Sequence, residues 1–114
     1  MLRSLPNRQI TISGKLRAAV SLSVDCPSAL LPMLPDLLAG VGSLGSSPRT
    51  ILNMLTQADL GERYTVLDLA CGKGGIACGV ARMFRCRVSG VDAFEPFLVD
   101  ARALATRLGV RDLC

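Results

Sequence analysis

The clearest pattern of apolar and polar positions lies in the second half of the chain. Residues 64–70 read Tyr-Thr-Val-Leu-Asp-Leu-Ala, a β-branched and apolar run without a turn residue, which predicts a buried parallel strand. The run breaks at Gly72-Lys73-Gly74-Gly75 and resumes at helical period over about 75–84. A second short apolar run, 86–91, ends in Asp92. Pro96 then falls in the first turn of a last helix, whose Phe97, Ala101, Leu104, Ala105 and Leu108 mark one side, and Gly109 closes it.

Upstream the signals are weaker. Residues 1–24 alternate briefly around 9–13 without a sustained period, which predicts an arm or at most a weak strand. Leu30, Leu31, Leu34, Leu37 and Leu38 recur at helical spacing, and Pro32 and Pro35 set the helix start near themselves, with a stop at Gly40. Residues 41–47 read as a Gly/Ser linker. Ser47 followed by Pro48 predicts a helix start, the hydroxyl capping free amides and the proline having none to satisfy. Ile51, Leu52 and Leu55 share a face of that helix, which runs to about Ala58 before Gly61 ends it.

The resulting order of helix, strand, helix, strand, helix predicts an α/β fold, a Rossmann-like, doubly wound parallel sheet. Such a sheet needs more than two strands, so the chain reads as cut short after the second strand and its following helix. Residues 1–25 are expected to be an N-terminal arm, disordered or used for targeting. Residues 26–114 are expected to form an incomplete domain, with a helical cover over 26–60 and a βαβα unit over 61–114.

Composition narrows the choice of function. Half of the 114 residues are hydrophobic and 19% are charged, as in a domain with a buried core. The net charge of +4 is spread along the chain beside one Tyr, three Phe and no Trp, which gives no strong nucleic-acid signal. Arg82, Arg85 and Arg87 cluster locally where a solvated connection is expected. The five cysteines are odd in number and contain no C-x-x-C pair, and there is no His, so no metal site is expected. Cys71, Cys78 and Cys86 read as small packing residues, reduced as in a cytoplasmic protein. An N-terminus with Arg3, Arg8, Lys15 and Arg17 and no acid before Asp25 offers a mitochondrial address as the alternative. The longest uncharged run, 37–48, is too short and too rich in glycine and serine to span a bilayer.

The glycine turn points to a ligand, because glycine admits backbone angles closed to other residues and keeps no side chain between ligand and main chain. The helix after it aims its N-terminal amides at the same place. A triphosphate loop G-x-x-x-x-G-K-[ST] would need glycine at Leu67 and a hydroxyl at Gly74, and fails at both. The dinucleotide pattern G-x-G-x-x-A is satisfied by Gly72, Gly74 and Ala77, with Asp92 near the distance of a ribose ligand.

A further pattern says more. Val66-Leu67-Asp68-Leu69-Ala70-Cys71-Gly72-Lys73-Gly74 resembles motif I of the class I S-adenosylmethionine-dependent methyltransferases, V-L-D-x-G-C-G-x-G, with Ala70 in place of its first glycine. The acid at Asp68 favours this family, since a dinucleotide turn normally has its first glycine there. Residues 88–92, Val-Ser-Gly-Val-Asp, resemble the family's second strand with its ribose-binding acid. The resemblance covers about 46–109.

It implies S-adenosylmethionine as cofactor, with Asp68 orienting its amino-acid end. Ala70, Cys71, Gly72, Lys73 and Gly74 would form the turn it lies on, Asp92 would accept from both ribose hydroxyls, and Ala93 and Phe94 would border the adenine. Residues 26–38 with 44–48 are similar to helices that cover the cofactor in some small-molecule members, so a small-molecule methyl acceptor is expected. The family's acceptor-binding and catalytic residues mostly follow later strands, and no catalytic residue is named here. An oxidoreductase fragment using NAD(P) or FAD, and a cofactor-binding module without chemistry, are the alternative readings. The chain alone is expected to be marginally stable or prone to associate, without transfer activity.

Overall fold

A computed structural model describes residues 14–114. They divide into two compact units, 14–41 and 42–114. The first holds helix α1, Gly14–Ser23, a 3-10 helix, Ser28–Met33, and a single turn of α-helix, α2, Leu34–Leu37. Its buried side chains are Val20, Leu31 and Leu34. The Arg17 guanidinium donates to the Ser28 carbonyl at 3.2 Å, and the Ser21 hydroxyl donates to that of Cys26.

Several expectations change here. The arm expected over 1–25 is helical in 14–23, where Lys15 to Ser23 contains no glycine or proline and Ala18-Ala19 favour helix; the alternation at 9–13 lies outside the described residues. A helix is expected to start near Pro32 or Pro35; a tighter 3-10 helix already begins at Ser28 with Pro32 inside it, and α2 then starts at Leu34 with Pro35 in its first turn. The helical cover expected over 26–60 is divided, because the boundary between units falls at 41/42 in the Gly/Ser stretch.

The second unit is a parallel β-α-β-α arrangement preceded by a helix. Helix α3, Pro48–Leu55, ends sooner than expected and continues as turns. Pro48 opens it as predicted, but the Ser47 hydroxyl makes no capping bond; the Ser47 carbonyl accepts from Ile51 instead, at 3.1 Å. Strand β1, Thr65–Leu69, leads through the glycine turn into α4, Gly75–Phe84. Strand β2, Arg87–Val91, pairs in parallel with β1, Thr65 opposite Arg87 and Leu69 opposite Val91. Helix α5, Glu95–Arg107, follows. This is the first parallel pair of a Rossmann-like sheet.

The core lies on one face of that pair. Ala77, Cys78, Val80 and Ala81 of α4 pack with Val88 of β2, with Ala105 of α5 and with Val110 and Cys114 beyond it. Leu113 supplies a carbonyl to the Val88 amide at 2.7 Å on the outer side of β2. The strand expected to be buried is not: Val66 and Asp68 are half-buried, whereas Leu67 is 60% and Leu69 70% exposed. The physical reason is that α4 and α5 cover one face only, and among the described residues β1 pairs only with β2. No single helix there is long and apolar enough to cross a membrane.

Candidate functional site

The end of β1 opens into a cleft of about 340 Å³, lined by residues 42–46 on one side and by Asp68 to Lys73, Gly75 and Ile76 on the other. That volume is at the lower end of the range for small-molecule sites, roughly 300 to 1,000 Å³. Five of the expected site residues meet here: Asp68, Ala70, Cys71, Gly72 and Lys73.

Asp68 is the chemical centre of the cleft. Its Oδ2 is buried and has no hydrogen-bond partner. Burial pushes its carboxyl above the ordinary value, a bond from the Ala77 amide opposes the rise, and the nearby Asp92 charge adds to it. Burial and the same two acids push the Cys71 thiol up to about 11, so it is a packed thiol and not a nucleophile at neutral pH. Cys78, also buried, is pushed up as well, first by its hydrogen bond with Cys114.

The turn is fixed by its backbone. The Cys71 amide donates to the Val91 carbonyl and the Gly74 amide to the Cys71 carbonyl, both at 2.9 Å. Gly72 and Gly74 take φ of +53° and +79°. Ala70 takes φ +58°, the left-handed conformation that the motif's usual glycine adopts freely and an alanine adopts at a cost of about 1 kcal/mol.

The two glycines do different work. At Gly72 a Cβ would come 3.8 Å from Leu44 Cδ1 across the cleft. At Gly74 it would come 2.8 Å from Ala101 Cβ and 3.1 Å from Ala101 Cα. Gly74 therefore makes room for α5, and it does not line the cleft.

Asp92, Ala93 and Phe94 do not line the cleft either. The Asp92 carboxylate ties the turn to the start of α5: Oδ2 accepts from the Gly72 amide at 2.8 Å and Oδ1 from the Phe94 amide at 2.9 Å. Phe94 is buried edge-on against Phe97, with ring centroids 4.8 Å apart, and Ala93 is exposed. The Lys73 side chain is buried and paired with Asp100 at 3.3 Å.

Composition alone gives 41–47 as a linker, while the resemblance gives 44–48 as part of a cover; residues 42–46 line the cleft, and the Gly42 carbonyl and Pro48 Cγ would lie 3.3 and 3.2 Å from a Cβ at Gly75. The available signal was their small size, which lets one backbone pack directly on another.

No protein-family model matches the chain. The ribosomal protein L11 methyltransferase of Dechloromonas aromatica (strain RCB) is 36% identical over 96 residues, which are 84% of this chain and 29% of that protein. A solved structure of a SAM-dependent methyltransferase from Geobacter sulfurreducens, in complex with S-adenosyl-L-homocysteine, superposes with a TM-score of 0.55 at 30% identity. That match covers 59% of this chain and 27% of the other. The chain thus spans less than a third of the length of these proteins. Motif I at the end of β1, the acid after β2 and the parallel β-α-β geometry between them make the chain similar, over most of its length, to part of a class I S-adenosylmethionine-dependent methyltransferase.

Proposed function

We propose that the cleft binds S-adenosylmethionine and that this chain supplies the cofactor-holding part of a methyl transfer. The observation that carries the reading is the buried, unpartnered Oδ2 of Asp68. An unsatisfied polar atom of this kind costs about 1 to 3 kcal/mol, and the cationic amine of the cofactor's methionyl end is a partner that removes that cost. Gly72 keeps the adjacent backbone bare of side chain, and Leu44 with its neighbours bounds the other side.

When bound, the cofactor brings a methyl group already activated by its sulfonium. The protein's share is to hold, orient and exclude water. Asp68 accepts from the amine. The turn 70–73 presents its backbone, and residues 42–46 narrow the access of water. Asp92 is the ribose ligand in this reading. Each of its oxygens keeps a second lone pair after its amide bond, so the clamp on Gly72 and Phe94 is compatible with accepting from ribose hydroxyls.

For the acceptor, the name of the Dechloromonas relative supports a protein substrate, in place of the small molecule expected from the sequence. Calorimetry on the 114-residue chain should show binding of S-adenosylhomocysteine and none of NAD. NAD binding without response to the methionine-derived ligand overturns the reading. Transfer of labelled methyl by the longest natural form of the protein, offered ribosomal proteins and a small-molecule panel in parallel, separates the two acceptor classes.

A further inference from the structure

Lys73 stands between two glycines with positive φ, and the chain there directs its side chain inward: only 8% of it is exposed. Its Nζ lies 3.3 Å from Oδ2 of Asp100, in the second turn of α5. Lys73 lines the cleft; Asp100 does not. One residue further along each segment, Gly74 and Ala101 are in such close contact that no side chain fits at Gly74. The Cys78 thiol also reaches the Ala101 carbonyl, at 3.8 Å. Turn and helix are thus joined by packing at 74/101 and by charge at 73/100.

Between two exposed side chains such an ion pair would add little, because water screens it. Here the ammonium is buried and its carboxylate half exposed, so taking the carboxylate away alters both the energy and the position of a buried charge borne by the glycine turn. We propose that Asp100 is a positioning residue for cofactor binding, acting through Lys73. It fixes the ammonium, and with it the glycine turn, in the arrangement that a ligand meets. The turn so held carries the backbone of Gly72 and Lys73 along the cleft beside the Asp68 carboxylate. This rests on the cofactor reading given above.

The test is a double-mutant cycle on the 114-residue chain, read by calorimetry with S-adenosylhomocysteine and by thermal melting. Asp100→Asn should weaken binding on the order of tenfold, and Asp100→Glu should recover most of it. In a Lys73→Met background, Asp100→Asn should change binding no further. Equal affinity of Asp100→Asn and the parent overturns the positioning role, and so does strict additivity with Lys73→Met. A loss that Asp100→Glu fails to recover and that tracks the fall in melting temperature assigns Asp100 to stability alone, which also overturns it. Failure of the parent chain itself to bind S-adenosylhomocysteine overturns the cofactor reading and this role together, and is distinguished by appearing before any substitution is made.

Discussion

Asp92 gives one oxygen to the Gly72 amide and the other to the Phe94 amide, so a residue expected to serve the ligand also holds the glycine turn against the start of α5. Removing it should affect folding, whatever its role toward a ligand. Two hydrogen bonds to a charged acceptor contribute about 1.5 to 3 kcal/mol each at most, and partial exposure reduces this. Asp92→Ala should therefore lower the free energy of unfolding in denaturant by about 2 to 4 kcal/mol, and Asp92→Asn by less, since its amide oxygen still accepts. An unchanged denaturation midpoint for Asp92→Ala would show that the two bonds do not support the fold.

Asp68 yields a pH dependence with a definite sign. Its folded pKa is raised above 3.8, chiefly by burial, so between 3.8 and the folded value the folded chain keeps a proton that the unfolded chain has released. Stability contributed by this group is present at low pH and is lost as pH rises through that window. Cofactor binding should run the other way, tightening over the same window as the carboxylate becomes available to the amine. Melts and S-adenosylhomocysteine titrations from pH 4 to 7 should show both slopes in the parent and neither in Asp68→Asn.

At the scale of elements, the turn between β1 and α4 works because glycine occupies both positions that side chains would block. Gly74→Ala would place a Cβ against the backbone of Ala101 and force φ +79° on an L-residue. Strain and overpacking together should cost about 2 to 4 kcal/mol, read as a lower denaturation midpoint. Gly79 is the contrast. Its Cβ would meet Leu52 Cδ1 at 2.9 Å, the end of a flexible side chain on half-buried α3, and alanine favours the helix, so Gly79→Ala should change stability by under about 1 kcal/mol.

Period and turn chemistry made α4, β2 and α5 legible nearly to the residue, because their apolar faces repeat and their ends carry Gly, Pro or Asp. They could not tell that Gly74 faces a helix while Gly72 faces the cleft. Nor could they show that Lys73 finds Asp100, or that residues 42–46 form a wall. Those facts are contacts between segments distant in sequence, to which local pattern is blind. The 3-10 form of 28–33 escaped for another reason: prolines limit where an α-helix starts but say little about the tighter helix that accommodates one.

At the scale of the whole molecule, α4, α5 and the carboxy-terminal turn cover one face of the β1–β2 pair and part of the outer side of β2. On the other face Leu67, Leu69 and Val91 are 60%, 70% and 45% exposed, with Leu69 opposite Val91 in the register. The outer edge of β1 has no strand beside it among the described residues. An apolar strip next to an open strand edge is the combination that templates pairing with another chain, since it offers both unpaired backbone groups and area to remove from water. The 114-residue chain should therefore associate as its concentration rises. Sedimentation velocity across a concentration series should show the average mass increasing. Leu67→Lys places a charge in the strip at a position that does not itself line the cleft, and should shift the chain toward monomer. A parent that sediments as monomer at every concentration would mean that this face and edge are not adhesive. Association that persists unchanged in Leu67→Lys would place the contact elsewhere on the chain.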